Sequence, residues 1–308
     1  MRVLFVSSGN KKSGISPIVF AQGESLRKKG VEVEYFVIKG KGLWGYLKGI
    51  VNLILKTRKV KYDLIHAHYS LSGFVAAFTF KKRIIVSLMG TDAHRKGLQR
   101  LAIKLFNSIF WEKTIVKTQE MKTKLGIKNA LIIPNGVDIS IFKPGNKDDA
   151  RKRLNLPTDI KILIFVSDPK RKEKNFPLAQ NAVTLINNHK ILLIPVFNVS
   201  HSKVVDYYNA ADALLLTSLW EGSVNVVKEA LACNTPVVST NVGDVYQNIK
   251  NLNGYVVANA TPEDFAVGIE TVLNCKSVIK GRDRLLELGL DSDSIALKIL
   301  ELYNSLLN

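Results

Sequence analysis

Cysteine is nearly missing from this 308-residue chain. Cys233 and Cys275 are too few for a disulfide framework and stand at no metal-ligand spacing. No apolar run approaches the roughly 18 residues that a membrane-spanning helix needs. The chain opens with Arg2-Val-Leu-Phe-Val6, a strand-like run, without the long apolar stretch of a signal peptide. A reduced, cytoplasmic protein is therefore expected. Repeats of about 20–50 residues are absent, as are low-complexity tracts, so solenoids and linker-like chains are excluded. What is present is 46% hydrophobic and 23% charged residues, the balance of a globular enzyme. The length exceeds what one core usually fills, so two domains are expected.

Acidic residues are scarce in one half only. Residues 1–158 hold 30 Lys and Arg against 10 Asp and Glu, a net of +20, whereas residues 159–308 hold 14 against 16, a net of −2. So uneven a charge points to an anionic partner of the first half: a nucleic acid, an anionic membrane face or a phosphorylated substrate. The alternative is a solvated lysine-rich surface. The lysines are scattered, with no aromatic-studded motif or reader helix, and nucleic acid is therefore not expected.

Short apolar strands alternate with amphipathic stretches along the whole chain. In the first half, strands are expected at 2–6, 31–37, 64–67, 84–88 and 131–133. Ser16 and Pro17 open the first helix as N-cap and first-turn proline. The polar segment 145–159 reads as a boundary, after which strands are expected at 162–166, 191–196, 213–216 and 237–239. Near-continuous apolar strands separated by helices mean parallel sheets covered on both faces. The expected fold is α/β, two Rossmann-like domains facing a cleft. The first spans 1–155 and the second 156–290, and a C-terminal helix at about 291–308 crosses back to the first. In such sheets ligands sit at the carboxyl ends of the strands.

The sharpest motif is Trp220-Glu-Gly-Ser-Val-Asn-Val-Val-Lys-Glu-Ala230. Glu221 falls on a strand-to-helix loop and Glu229 about two turns into the helix. The helix start offers free N–H groups and the positive dipole end to a phosphate or sugar. Carboxylates not bound to a metal accept hydrogen bonds from paired hydroxyls. Two glutamates around a helix start are also common as simple dipole partners.

Further motifs accompany this one: Ile133-Pro-Asn-Gly-Val-Asp138 with Phe142-Lys-Pro144, Ala210 to Ser218, Pro236 to Gly243, Asp63 to His68, and Gly90-Thr-Asp92. Together they resemble glycosyltransferase family 4, retaining nucleotide-sugar-dependent enzymes of GT-B fold with a Glu-x(7)-Glu signature, over nearly the whole chain. The resemblance implies that Glu229 holds the ribose hydroxyls of the donor. Glu221 would contact hydroxyls of the donor sugar, beside backbone N–H groups of Gly222, Ser223 and Val224. Lys174 matches the family's diphosphate-clamp lysine, and Arg171 replaces its arginine, since Asp168 occupies the usual arginine position. Ser13 and Gly14 match the glycine-rich turn that approaches the diphosphate. His68, Asp92 and His94 would lie on loops lining the cleft. Met89 stands where many members have histidine and takes no part in proton transfer. Val224 replaces the usual proline.

A metal is not expected: His66 and His68 alternate on a strand end without a third ligand, so packing or acceptor contact is the expected role. No cofactor is expected, the nucleotide-sugar being a substrate. Cations and helix N–H groups would then stabilise the leaving diphosphate.

The stretches 43–59 and 92–113 are amphipathic and basic. Both could be ordinary covering helices packing their apolar faces on the first sheet, or could attach peripherally to anionic lipid. The function implied is retaining transfer of a sugar from a nucleoside-diphosphate donor to a glycan or lipid-linked acceptor. The alternatives are a non-catalytic nucleotide-sugar-binding regulatory subunit and a sugar-nucleotide epimerase on the same architecture.

Overall fold

Val3-Leu-Phe-Val6 and Ile162-Leu-Ile-Phe165 are apolar on both faces of a strand, and each lies inside a parallel sheet with helices above and below. The computed structural model describes residues 1–308 except 10–13, 41, 82 and 188–189, and the side chains of 201 and 202. The chain divides into two compact units: Met1–Gly136 with Ser292–Asn308, and Val137–Asp291. The polar segment 145–159 lies inside the second unit. Among the described residues no helix is long and apolar enough to cross a membrane.

The first unit runs β1 (Arg2–Ser8), α1 (Pro17–Lys28), β2 (Glu32–Ile38), α2 (Gly42–Lys59), β3 (Leu64–His68), α3 (Ser70–Ala77), β4 (Ile84–Ser87), α4 (Gly90–Ala93), α5 (Leu98–Ile109), β5 (Lys113–Val116), α6 (Gln119–Leu125) and β6 (Leu131–Ile132). The second runs α7 (Lys147–Arg153), β7 (Lys161–Phe165), a 3₁₀ turn (Lys172–Lys174), α8 (Phe176–Ile186), β8 (Ile191–Pro195), α9 (His201–Ala210), β9 (Ala213–Leu216), α10 (Asn225–Ala232), β10 (Val237–Thr240), α11 (Val245–Ile249), β11 (Tyr255–Ala258), α12 (Pro262–Leu273) and α13 (Gly281–Glu287). The last helix, α14 (Ser292–Leu307), belongs to the first unit and packs beside α1.

Both sheets are wholly parallel, in the orders β2-β1-β3-β4-β5-β6 and β11-β10-β9-β7-β8. In the first, the chain leaves β1 on one side and returns on the other at β3. In the second it does so between β7 and β9. At each reversal the loops leaving the two neighbouring strands diverge and open a crevice at their carboxyl ends. The second crevice therefore falls between the β7–α8 loop, which carries Arg171 and Lys174, and the β9–α10 loop, which carries Glu221.

Side chains alternate across the first sheet. Leu4 and Val6 pack with Leu53 of α2, Val75 of α3 and Ile103 of α5, while Val3 and Phe5 pack with α1 and with Ile295 and Ile299 of α14. Three features differ from expectation. Strands β5 and β11 form at positions where the sequence predicts none. The stretch 92–113 is no single helix: Gly97, at φ +60°, separates α4 from α5. Helix α2 does not pack its apolar stripe inward. Its inner side is Gly45, Gly49, Leu53 and Thr57. A Cβ on Gly45 would meet the Gly40 carbonyl carbon at 2.5 Å, and one on Gly49 would meet Ile38 Cγ2 at 3.1 Å. The glycines let the helix backbone settle close to the edge of the sheet, leaving Leu47, Val51 and Leu55 outside.

Candidate functional site

In the second unit, the loops around the β7/β9 reversal are stitched together before any side chain of interest is placed. The Thr217 hydroxyl lies 2.9 Å from the carbonyl oxygens of both Lys174 and Asn175, and Leu219 N donates to Glu173 O at 2.9 Å. Asn175 adopts a left-handed φ of +50° and turns the chain into α8. These bonds bring Lys174 onto Glu221: Lys174 Nζ donates to Glu221 Oε1, which also accepts from Ser218 Oγ at 2.8 Å. Both partners are largely buried, so the pair is little screened by solvent. Arg171 goes elsewhere. It is 52% exposed, and its guanidinium pairs with Glu173 at 2.7 and 2.9 Å. That bond, with Arg171 itself, holds the Glu173 carboxyl below the usual range, together with a backbone hydrogen bond that is the larger cause.

Glu229 stands on α10, where Tyr208 Oη donates to its Oε2 at 2.8 Å. The residue keeps partial access to the surface, but protein atoms crowd its carboxyl group. Desolvation pushes it up to about 7, against the opposing Tyr208 hydrogen bond. The same carboxylate and its own burial push the Tyr208 hydroxyl well up.

Between these two glutamates lies a buried ionic lock. Lys228 is 0% exposed, and its Nζ sits 2.9 Å from Asp244 Oδ2 and bonds Ser223 Oγ. Ser223 Oγ donates to Asp244 Oδ2 at 3.0 Å, and Val224 N donates to Asp244 Oδ1 at 2.8 Å. The neighbouring Gly243 has φ +58°, and a Cβ there would fall 2.1 Å from the Gly222 carbonyl oxygen, so the two loops touch through backbone. The expected trio of donor-facing N–H groups at Gly222, Ser223 and Val224 is thereby corrected at Val224, whose N–H is spent on Asp244.

In the first unit, Gly14 takes φ +73° at the end of the β1 loop, while Ser13 lies outside the described residues. His68 is not on a loop: it is the last residue of β3, fully buried, its ring stacked 4.5 Å from His66 and 4.7 Å from Phe5. Among the described residues neither of its nitrogens has a hydrogen-bond partner, and burial, with His66 and Lys117 nearby, pushes its pKa well below the ordinary value. It is a packed ring kept neutral by burial, a core side chain where a loop residue was expected. His66 is held by Ser87 Oγ at 2.9 Å and by Tyr303 of α14. Asp92 lies inside α4, buried, accepting from Met89 N at 2.8 Å, Ser70 Oγ at 2.7 Å and Ser70 N at 3.2 Å. Burial raises its pKa while these bonds lower it. Its position corrects the expectation of a loop carboxylate: it ties the starts of α3 and α4 together. Among the described residues no group of three His, Cys, Asp or Glu is placed to hold a metal ion.

Tyr208, Ser218, Lys228 and Asp244 escaped the sequence reading. One signal was available: Lys228 shares the inward side of α10 with Val227 and Leu231, and a lysine there needs a buried anion.

What this arrangement offers is a cation and two carboxylates, each already positioned by buried hydrogen bonds, where a parallel sheet binds ligands. Residues 151–275 match the family of glycosyl transferases group 1. TuaC of Bacillus subtilis (strain 168), named for a glycosyltransferase of teichuronic acid biosynthesis, is 31% identical, with 72% of this chain and 68% of that protein covered. Among solved structures, sucrose-phosphate synthase from Thermosynechococcus elongatus superposes with a TM-score of 0.80 at 20% identity, covering 99% of this chain and 98% of the other. Anabaena HepE in complex with UDP-glucose does so with a TM-score of 0.79 at 15% identity, covering 99% and 100%. These two show the fold, GT-B. The extent and identity of the match to TuaC place this chain among the group 1 glycosyl transferases, the family to which it belongs.

Proposed function

We propose that the protein is a retaining glycosyltransferase of family 4 that moves a sugar from a nucleoside-diphosphate sugar to a hydroxyl of a glycan or lipid-linked acceptor. The observation that carries this reading is the Lys174–Glu221 pair at the β7/β9 reversal, with Glu229 on the helix that follows. Glu229 accepts the ribose hydroxyls, Glu221 the sugar hydroxyls, and Lys174 faces the diphosphate. In the reaction the C1–O bond to the β-phosphate breaks as the acceptor oxygen bonds C1 on the same face. The acceptor's proton passes to the departing phosphate oxygen, so no protein nucleophile is required, and neither buried His68 nor Met89 is needed as a base. Negative charge grows on that phosphate, and one well-placed donor to such charge is worth roughly 10²–10³ in rate.

The first unit takes the acceptor. A lipid-linked acceptor lies at a membrane, so peripheral contact with an anionic, cytoplasmic membrane face belongs to the proposal. The free cysteines, Cys233 and Cys275, accord with a reducing compartment.

The test is a thermal-shift and turnover panel of nucleotide sugars led by UDP-glucose, the ligand of the HepE structure. A shift of the wild type by one nucleotide, lost in Glu229→Ala, with release of the nucleoside diphosphate lost in Lys174→Met, is the expected result. The Arg171–Glu173 pair favours a second reading, a nucleotide-sugar-binding subunit without turnover. Binding with no release of nucleoside diphosphate under any acceptor tried would select it.

A further inference from the structure

The first unit exposes aligned rows of large apolar side chains on one face of its sheet, whereas on the helices of the other face Phe20 and Leu297 stand exposed singly. On α5, Leu98, Leu101, Leu105 and Ile109 follow one another at helical spacing along the outer side, Leu98 being 85% exposed, while Ile103 faces the core. On α2, Trp44, Leu47, Val51 and Leu55 do the same, Trp44 being 82% exposed. Helix α3 lies buried between the two, meeting α5 through Phe74–Phe106 ring contact, and Phe78 and Phe80 are exposed at its end. Two ridges of large apolar side chains thus flank a sunken helix. Scattered single leucines on a surface mean nothing, but aligned rows of this length do.

The helices of this face carry charge of one sign, and the Glu34 carboxylate of β2 beside them is taken up by Lys56 of α2. None of α2, α3 and α5 contains an Asp or Glu, while Lys48, Arg58, Lys59, Arg100 and Lys104 stand on them. The helices on the opposite face, α1 and α14, carry Glu24, Asp293 and Glu301. We infer that the α2/α3/α5 face docks on an anionic phospholipid bilayer, the two ridges lying in the interface plane with their leucines among the upper acyl carbons and their lysines and arginines at the headgroups. A helix of twelve residues is about 18 Å long, enough to lie in that plane and far too short to span. A second copy of this chain is the poorer occupant. A two-fold interface would set these acid-free helices against themselves, placing cation on cation. The bilayer alone offers both an apolar layer and fixed negative charge.

The inference gives a surface to the membrane contact of the proposed function. It does not depend on the donor chemistry, and nucleotide binding is read separately. Flotation with phosphatidylcholine vesicles, with and without a minority of phosphatidylglycerol, tests it. Wild-type protein is expected on the anionic vesicles, with binding about tenfold weaker on neutral ones or at high salt. The double substitution Leu101→Glu/Leu105→Glu is expected to lower anionic-vesicle binding at least about tenfold. Both positions are exposed, so the fold is kept, and the thermal shift by nucleotide is unchanged. Val267→Glu, at an exposed position of α12 in the second unit, leaves vesicle binding as it was. Three results overturn the inference: equal binding to neutral vesicles, full binding by the double variant, or a wild-type dimer that the double variant splits while neither form binds vesicles.

Discussion

Lys228→Met removes the only cation of the buried lock while leaving the methylene volume nearly intact. In the native protein Asp244, whose side chain is 13% exposed, is held by Lys228 Nζ, Ser223 Oγ and Val224 N. Without Lys228 the carboxylate keeps two neutral donors and little water. Removing one partner of a buried pair costs about 3–5 kcal/mol, chiefly because the other charge is stranded. The slight exposure of Asp244 and its two remaining bonds put the expected loss at about 3 kcal/mol. For a domain of this size that is a fall of about 6–12 °C in the unfolding of the second unit. Lys228→Met/Asp244→Asn removes the stranded charge, and an asparagine oxygen can still accept from Val224 N. The double variant should therefore recover about 1–2 kcal/mol of the loss, a coupling of the size that directly contacting residues show. Scanning calorimetry of the wild type, both singles and the double closes the cycle. A Lys228→Met transition within about 2 °C of wild type, or a double variant no better than the single, would refute the reasoning that this is a desolvated ion pair.

Other consequences concern the donor carboxylates. Glu229 is raised from an ordinary 4.5 to about 7 in the folded protein, so across that window the folded chain holds a proton that the unfolded chain has lost. Its contribution to stability is complete below the lower value and is lost as pH rises through the higher one. Thermal melts at several pH values should therefore show a steeper decline for wild type than for Glu229→Gln between about pH 5 and 8. Tyr208→Phe deletes the one hydrogen bond that favours ionised Glu229, at a cost of about 1 kcal/mol. It should move the pH dependence of nucleotide binding upward, whereas a purely structural lesion would weaken binding equally at all pH values. Glu221→Gln is expected to narrow the ratio of UDP-glucose to UDP affinity measured by calorimetry, and an unchanged ratio would separate Glu221 from the sugar.

The fold was legible because its signal is repeated. Strands such as Ile162–Phe165 are apolar at every position, and loops with Ser, Gly or Pro follow them, so parallel pairing and helical cover were implied without any long-range information. The candidate site is legible in part: the motifs that single out Lys174 and Glu221 mark two residues that folding does bring together, with Glu229 on the helix that follows. It was not legible where function of a side chain depends on what folding brings near it. His68 and Asp92 look like site residues in sequence, but the close fit of β3 against Phe5 and of α3 against α4 turns one into packing and the other into a cap. Asp244 is remote from Lys228 in the chain and meets it only because β10 follows β9 in the sheet order. The outward turn of α2 rests on Gly45 and Gly49, whose meaning appears only when the Gly40 backbone and the Ile38 side chain are set against them.

The pairing of Lys174 with Glu221 has a consequence for how the site accepts a donor. A diphosphate that draws Lys174 away from Glu221 gains an ion pair and breaks one, and it leaves a largely buried carboxylate with the Ser218 hydroxyl as its remaining side-chain donor. Such a carboxylate resists desolvation unless new hydrogen bonds replace the lost one. Hydroxyls of a donor sugar are the groups that can supply them from the same ligand. In the proposed reading, the diphosphate and the sugar therefore bind cooperatively: each makes the other's contact affordable, and neither half alone satisfies both charges. After transfer the sugar is gone, the replacement bonds go with it, and Glu221 competes again for Lys174. The resting ion pair thus favours the intact donor over the diphosphate product, and so assists product release at the site that also stabilises the charge developing on the leaving group.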